Sequence, residues 1–210
     1  MNKPIIIIGA GDHARVLLDI LLEQGEKVIG LTDKNISKGR NIYGVPVIGD
    51  DDSILQYKTE EIELVNGIGS IKSLDLRIKI YKTYKEKGYS FASVIHNSAI
   101  ISKRAKLEEG VQILPGVIIN TEAYIGANSI INTKTSIDHG CIIGKHVHIA
   151  PGCTLSGCVT IGEGSHMGTG SSIIQGVKIG ENALVGAGSV VIDSFGAEVK
   201  ICGVPAKKMD

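Results

Sequence analysis

The sequence predicts an α/β domain built on a small doubly wound parallel sheet over residues 1–94, joined to an all-β repeat domain over residues 95–210. Three observations carry this prediction. A short β-branched run, Ile5 to Ile8, opens into a glycine-rich turn and then a helical apolar pattern. From Ile95 onwards a large apolar residue recurs at every sixth position. The composition changes at the same place, because six of the eight aromatic residues precede residue 92 and only Tyr124 and Phe195 follow it.

In the first half, Ile5 to Ile8 is apolar on both faces, which suits a strand covered on both sides in a parallel sheet. Gly9-Ala10-Gly11-Asp12-His13-Ala14 follows, and Val16, Leu17, Ile20 and Leu21 then keep helical spacing until Gly25. A second strand, Lys27 to Thr32, ends at Asp33; a third apolar run, Ile62 to Ile68, ends at Gly69. Leu74, Ile78 and Tyr81 form one stripe of a helix between Ile71 and Lys87, and a strand is predicted at Ser90 to Val94. The Gly9-x-Gly11-x-x-Ala14 turn, with Asp33 about twenty residues on, resembles the Rossmann-like dinucleotide fingerprint. There a phosphate sits on the helix N-terminus and the acid reads a sugar hydroxyl. Only one mononucleotide half fits before the chain changes character, so a single nucleotide or nucleotide-sugar is favoured over NAD. A purely structural role, close packing of the turn, stands beside that reading.

The repeat runs through seventeen consecutive positions from Ile95 to Val191, all aliphatic or Met. Four residues after each large position, from Ala105 to Ser189, lies a second column of small residues or Val. A period of six fits one short strand plus one corner, with one large and one small residue pointing inward. Gly126, Gly144, Gly162, Gly168, Gly180 and Gly186 each follow a large residue, and positive φ at tight bends is the expected reason. No step of six is interrupted, so no long inserted loop is expected. The cysteines Cys141 and Cys153 fall in the small column as buried fillers, and with Cys158 and Cys202 they show no CxxC spacing.

With 22 basic and 22 acidic side chains, the chain has no large field to attract nucleic acid or anionic lipid. The apolar stretch at Ile5 is too short for a membrane span or signal peptide, so no membrane insertion and a cytoplasmic location are expected. Four of the six histidines, His139, His146, His148 and His166, lie outside both inward columns. The six-residue pattern resembles the hexapeptide-repeat prism, and the 18-residue coil that this resemblance implies puts Gly157, with its bare backbone, directly beneath His139. A base beside a backbone N–H suits acyl transfer, where one removes a proton and the other holds an oxyanion.

These features together resemble the bacterial sugar O-/N-acyltransferases. The resemblance rests on the opening Gly-Ala-Gly-Asp-His, Ser136-Ile137-Asp138-His139, His148-Ile149-Ala150-Pro151-Gly152 and the closing Gly203-Val204-Pro205-Ala206-Lys207. It implies that the repeat domain is a hexapeptide-repeat, left-handed parallel β-helix of three sides, somewhat over five coils and about 25 Å tall at roughly 4.8 Å per coil. It also implies transfer of acetyl from acetyl-CoA, without a metal, to a nucleotide-linked sugar, by a homotrimer with active sites between neighbouring prisms. His139 would be the general base. Gly157, His148, Thr169 and Ala187 would contact acetyl-CoA, and Asn132 would lie beside the acceptor sugar. Gly11, Asp12, His13, Asp33 and Gly69 would bind the nucleotide. Many members carry an acid directly after the base, where this chain has Gly140; Asp138, directly before it, is then the adjacent carboxylate, although strand alternation would turn neighbouring side chains apart. The expected acceptor is a UDP-4-amino-deoxy sugar, then GDP-perosamine or sialic acid. Two further readings are a zinc lyase like the prism-containing carbonic anhydrases, using His146, His148 and His166, and a non-catalytic trimeric nucleotide-sugar sensor.

Overall fold

The structure, a computed structural model, describes residues 3–70 and 73–209, and the chain divides into two compact units, Met1–Val94 and Ile95–Asp210. The first unit runs β1 (Ile5–Ile8), α1 (Asp12–Glu23), β2 (Val28–Thr32), β3 (Asn41–Ile42), β4 (Val45–Gly49), β5 (Glu63–Asn66) and α2 (Asp75–Glu86). The sheet order is β3-β4-β2-β1-β5, parallel throughout except for the β3–β4 hairpin. All four isoleucines of β1 are buried, as a central strand covered on both faces demands. The chain builds outwards from β1 through β2 to β4 and then returns to the opposite side at β5. The order therefore reverses between β1 and β5, and the carboxyl ends of those strands open the crevice where such sheets place ligands.

Two expectations for this unit are corrected. The strand predicted at Ser90 to Val94 is reduced to one parallel bridge between Phe91 and Leu64, and regular pairing resumes at Val94–Ile95. The sheet is extended instead by β3 and β4, whose turn residues Tyr43 and Gly44 have φ of 50° and 89°, the left-handed pair that a two-residue hairpin uses. The helix before it forms, but its buried stripe is Arg77, Ile80, Tyr81 and Tyr84, with Ile78 only half-buried. Ile71 lies outside the described residues.

The second unit is a three-sided parallel β-helix. Two-residue strands recur every six residues, and each pairs with the strand 18 residues on, as in Ser136 with Thr154, Ile142 with Thr160 and His148 with His166. The first face carries Ser136–Ile137 and its equivalents, the second Ile142–Ile143, and the third His148–Ile149. Large inward residues from Ile113 to Val191 are at most 1% exposed. From Val111 to Ser189 the small column is at most 4% exposed, and three of its hydroxyls donate to the carbonyl fifteen residues on. Ser129 Oγ reaches Gly144 O at 3.0 Å, Thr135 Oγ1 reaches Ala150 O at 3.1 Å and Ser165 Oγ reaches Gly180 O at 2.8 Å. A hydroxyl can thus stand where valine stands elsewhere without leaving a buried group unpaired. The Cys141 and Cys153 thiols fill the same column, and burial pushes both pKa values up.

The glycines that follow the large residues have a different cause from the one expected. None of Gly126, Gly144, Gly162, Gly168, Gly180 and Gly186 has positive φ. A Cβ on Gly126, Gly144 or Gly162 would instead come within 2.5–2.7 Å of the next coil's backbone, because stacked strands lie only about 4.8 Å apart. The left-handed bend comes two residues later, at Asn128, His146, Gly164, Gly170, Asn182 and Gly188. No loop interrupts the coils, but the last coil is two residues short: Leu184 and Val185 pair with Lys200 and Ile201. Among the described residues the only ring packed against this core is Phe195, at that end, and the antiparallel hairpin Lys200–Gly203 and Ala206–Lys208 closes the third face.

Candidate functional site

His139 occupies the corner between the first and second faces, after the strand Ser136–Ile137. Because the strand has ended, alternation no longer separates neighbouring side chains, and Asp138 Oδ1 accepts both the His139 backbone N–H (2.7 Å) and its ring Nδ1 (3.1 Å). Asn120, one coil above, donates its Nδ2 to the same oxygen at 3.0 Å. Hydrogen bonds from the backbone and ring of His139 are the chief reason that the Asp138 carboxyl is held below the usual carboxylate range. An ionised carboxylate only accepts, so the ring proton sits on Nδ1 and the Nε2 lone pair is left for a substrate. Half of the His139 side chain is exposed.

Beneath the ring lies Gly157. A Cβ there would stand 2.5 Å from Cε1 and 2.6 Å from Nε2 of His139, so only glycine leaves the ring in this position. Among the described residues the Gly157 N–H has no acceptor, whereas its carbonyl receives Gly176 N at 3.0 Å. Gly140, where an acid was the family expectation, has φ of 63° and the Cys158 thiol beside it, 3.2 Å from where a Cβ would be. The corner therefore brings together His139, Asp138 and Gly157. Asn120 escaped the sequence reading, although counting 18 back from Asp138 finds it.

The remaining repeat-domain candidates lie elsewhere in the chain. His148 is on the third face, and Asn132, Thr169 and Ala187 are at the corner between the third and first faces, so the whole first face separates them from His139. Within that group, Asn132 Nδ2 lies 3.2 Å from His148 Nε2. The His148 and His166 rings meet edge to face at 4.8 Å, and burial lowers the His166 pKa. His146 is turned to Asn128 at 2.9 Å instead of completing a trio with them. Among the described residues no group of three or more His, Cys, Asp or Glu could hold a metal ion.

In the first unit the candidate residues gather at the reversal point of the sheet. Gly11 caps the N-terminus of α1, with acidic Asp12 in the first turn. The two turn glycines differ: a Cβ on Gly9 would press on Ile68, while one on Gly11 would meet nothing within 4 Å. A left-handed φ of 92° and the Ile68 contact account for Gly9, whereas neither positive φ nor close packing accounts for Gly11. Asp33 Oδ2 accepts the Ala10 N–H at 3.2 Å, tying the end of β2 to the turn. Gly69, after β5, faces His13, which a Cβ would meet at 3.4 Å. Arg77, fully buried, fixes this loop by donating to Asn66 O (2.9 Å) and Ile68 O (2.8 Å), while Asn66 Nδ2 returns a bond to Arg77 O (3.0 Å). Burial pushes the Arg77 pKa down to about 9, which leaves it charged at neutral pH. Sequence reading missed Arg77 because an arginine on a core stripe contradicts hydrophobic patterning.

An α/β unit with a glycine turn at its reversal point, followed by a six-residue-repeat prism, defines the hexapeptide transferases. Residues 4–84 match the PglD N-terminal domain, 122–157 the bacterial transferase hexapeptide of six repeats, and 158–192 the hexapeptide repeat of succinyl-transferase. The chain is similar over 99% of its length, at 36% identity and a TM-score of 0.92, to 97% of a perosamine N-acetyltransferase variant from Caulobacter crescentus solved with CoA and GDP-perosamine. It is 27% identical, over 100% of both chains and at a TM-score of 0.92, to the acetyltransferase domain of PglB from Neisseria gonorrhoeae solved with acetyl coenzyme A. WeeI from Acinetobacter baumannii shares the fold at 24% identity, over 99% of this chain and 100% of its own, with a TM-score of 0.89. This chain belongs to the bacterial sugar acyltransferases with hexapeptide repeats.

Proposed function

We propose that the protein transfers the acetyl group of acetyl-CoA to the amino group of a nucleotide-linked 4-amino-deoxy sugar. The observation that carries this reading is the corner where Asp138 orients His139 over the bare backbone of Gly157. His139 Nε2 takes a proton from the amine as the amine attacks the thioester carbonyl. The Gly157 N–H donates to the oxyanion of the tetrahedral intermediate. Collapse then breaks the carbon–sulfur bond, and the imidazolium returns its proton to the departing CoA thiolate. His148, Thr169 and Ala187 hold acetyl-CoA, Asn132 borders the acceptor, and Gly11, Asp12, His13, Asp33 and Gly69 hold the nucleotide. Because His148, Thr169 and Ala187 lie across the first face from His139 and from Gly157, the remaining acetyl-CoA residue, a neighbouring copy must bring its third-to-first corner to this one. A homotrimer supplies that arrangement, and light scattering tests it. Acetyl-CoA and nucleotide-sugars are made in the cytoplasm, which is where we place the reaction.

UDP-linked amino sugars were expected first, and likeness to the perosamine enzyme puts GDP-perosamine beside them. The test is thiol release from acetyl-CoA with UDP-, GDP- and CMP-linked amino sugars, with free sialic acid as a control. Turnover with one nucleotide-linked amino sugar, lost in His139→Ala with the fold intact, supports the reading. Near-normal turnover in that variant rejects it.

A further inference from the structure

We infer that Asn120 is a positioning residue for the reaction, acting through Asp138 to fix the protonation and orientation of His139; this rests on the reading that His139 is the base. Three bonds make the arrangement directional. Asn120 Oδ1 accepts the Thr121 N–H at 2.8 Å, which decides which end of the amide carries oxygen and turns Nδ2 outwards. Nδ2 then donates to Asp138 Oδ1 at 3.0 Å, the same oxygen that accepts the His139 backbone and ring nitrogens. The Asn120 backbone is itself pinned in the coil ladder, its N–H donating to Ile137 O at 2.9 Å. Asn120, Asp138 and His139 thus form a chain anchored one coil above the base.

The family resemblance leads one to expect an acid directly after the base. Here that position is Gly140, at left-handed φ with the Cys158 thiol beside it, so the carboxylate stands on the other side of His139. A carboxylate that is 41% exposed has rotamers open to it, and a donor fixed at 3.0 Å favours the one that reaches Nδ1. Among the described residues, Cys141, largely buried, is coupled electrostatically to Asp138 and to Cys158.

Two substitutions test the inference. Asn120→Ala should lower kcat roughly tenfold, the lower end for outer-shell partners, with KM unchanged, and should reduce the Nδ1–H tautomer of His139 seen by 15N NMR. Asn120→Asp keeps the shape but sets a second carboxylate against Asp138. The acid limb of kcat/KM against pH should then move to higher pH, because added negative charge favours imidazolium. A role in folding alone would change neither the tautomer nor the limb. If both variants keep the wild-type kcat, pH limb and tautomer while His139→Ala abolishes turnover, the inference is overturned and the proposed reaction stands. If His139→Ala retains turnover, the reaction assignment itself fails, and a tautomer shift in Asn120→Ala would show the contact without a catalytic use.

Discussion

Gly157→Ala isolates the contact on which the corner depends. The φ of Gly157 lies outside the left-handed region, so alanine is tolerated by the backbone, and the substitution adds only a methyl group. That methyl would stand 2.5 Å from Cε1 and 2.6 Å from Nε2 of His139, whereas carbon contacts relax at about 3.5–4.0 Å. The ring must therefore retreat by about 1 Å, which displaces Nε2 from its place over Gly157 and disturbs the 3.1 Å Nδ1 contact with Asp138. A misplacement of about 1 Å costs roughly 10²-fold in rate. Because the ring is half exposed, it can swing into water, and stability should change by less than about 1 kcal/mol, a melting shift of at most about 2–4 °C at this size. Thiol release from acetyl-CoA with a nucleotide-linked amino sugar reads the rate, and a thermal melt reads the fold. Turnover within threefold of wild type, alongside an unchanged melt, would refute the argument that the base needs bare backbone beneath it.

His139→Ala should lose about 10²–10⁴ in kcat/KM, measured in the same assay. Arg77→Met strips a donor from the Asn66 and Ile68 carbonyls; at about 1–3 kcal/mol for each orphaned acceptor, chemical denaturation should show a loss of several kcal/mol, with weaker nucleotide binding. Ile143→Ala, in the middle of the prism core, should cost about 2–5 kcal/mol by the same measurement. Burial holds the His166 pKa below its usual 6.5. The unfolded chain therefore takes up a proton that the fold resists, so this stability is whole above pH 6.5 and falls as the pH drops below it. His166→Phe should flatten the fall in melting temperature between pH 7 and 5, and an equal fall in both proteins would count against the assignment.

Period arithmetic made much of this molecule legible. Counting six places every inward residue, and the 18-residue coil implied by the family resemblance sets Gly157 under His139 before any coordinates are drawn. The glycine turn after Ile8 likewise announces β1 and α1. What escaped depends on neighbours remote in sequence. Gly126 and its equivalents are glycine because another coil's backbone lies against them, and Arg77 sits on a core stripe because loop carbonyls, not apolar atoms, surround it. Strand alternation, which would turn Asp138 away from His139, stops at Ile137, and the corner turns the carboxylate back on its neighbour. The β3–β4 hairpin carried a weaker signal, Tyr43-Gly44, that an Asn-Gly turn would have made plain.

Nothing in an 18-residue coil says when to stop, since every rung offers the next a fresh row of donors and acceptors. A prism left open would present three bare strand edges, the template on which chains add end to end. After Val191 the chain contracts by two residues, Phe195 bridges to Ile179 on the second face, and the reversing hairpin ends the third face on an antiparallel strand, replacing a repeatable rung with one that no further coil matches. The terminal hairpin therefore works as a length gauge, and removing Lys200–Lys208 should yield fibrous or aggregated material in place of a shorter soluble prism.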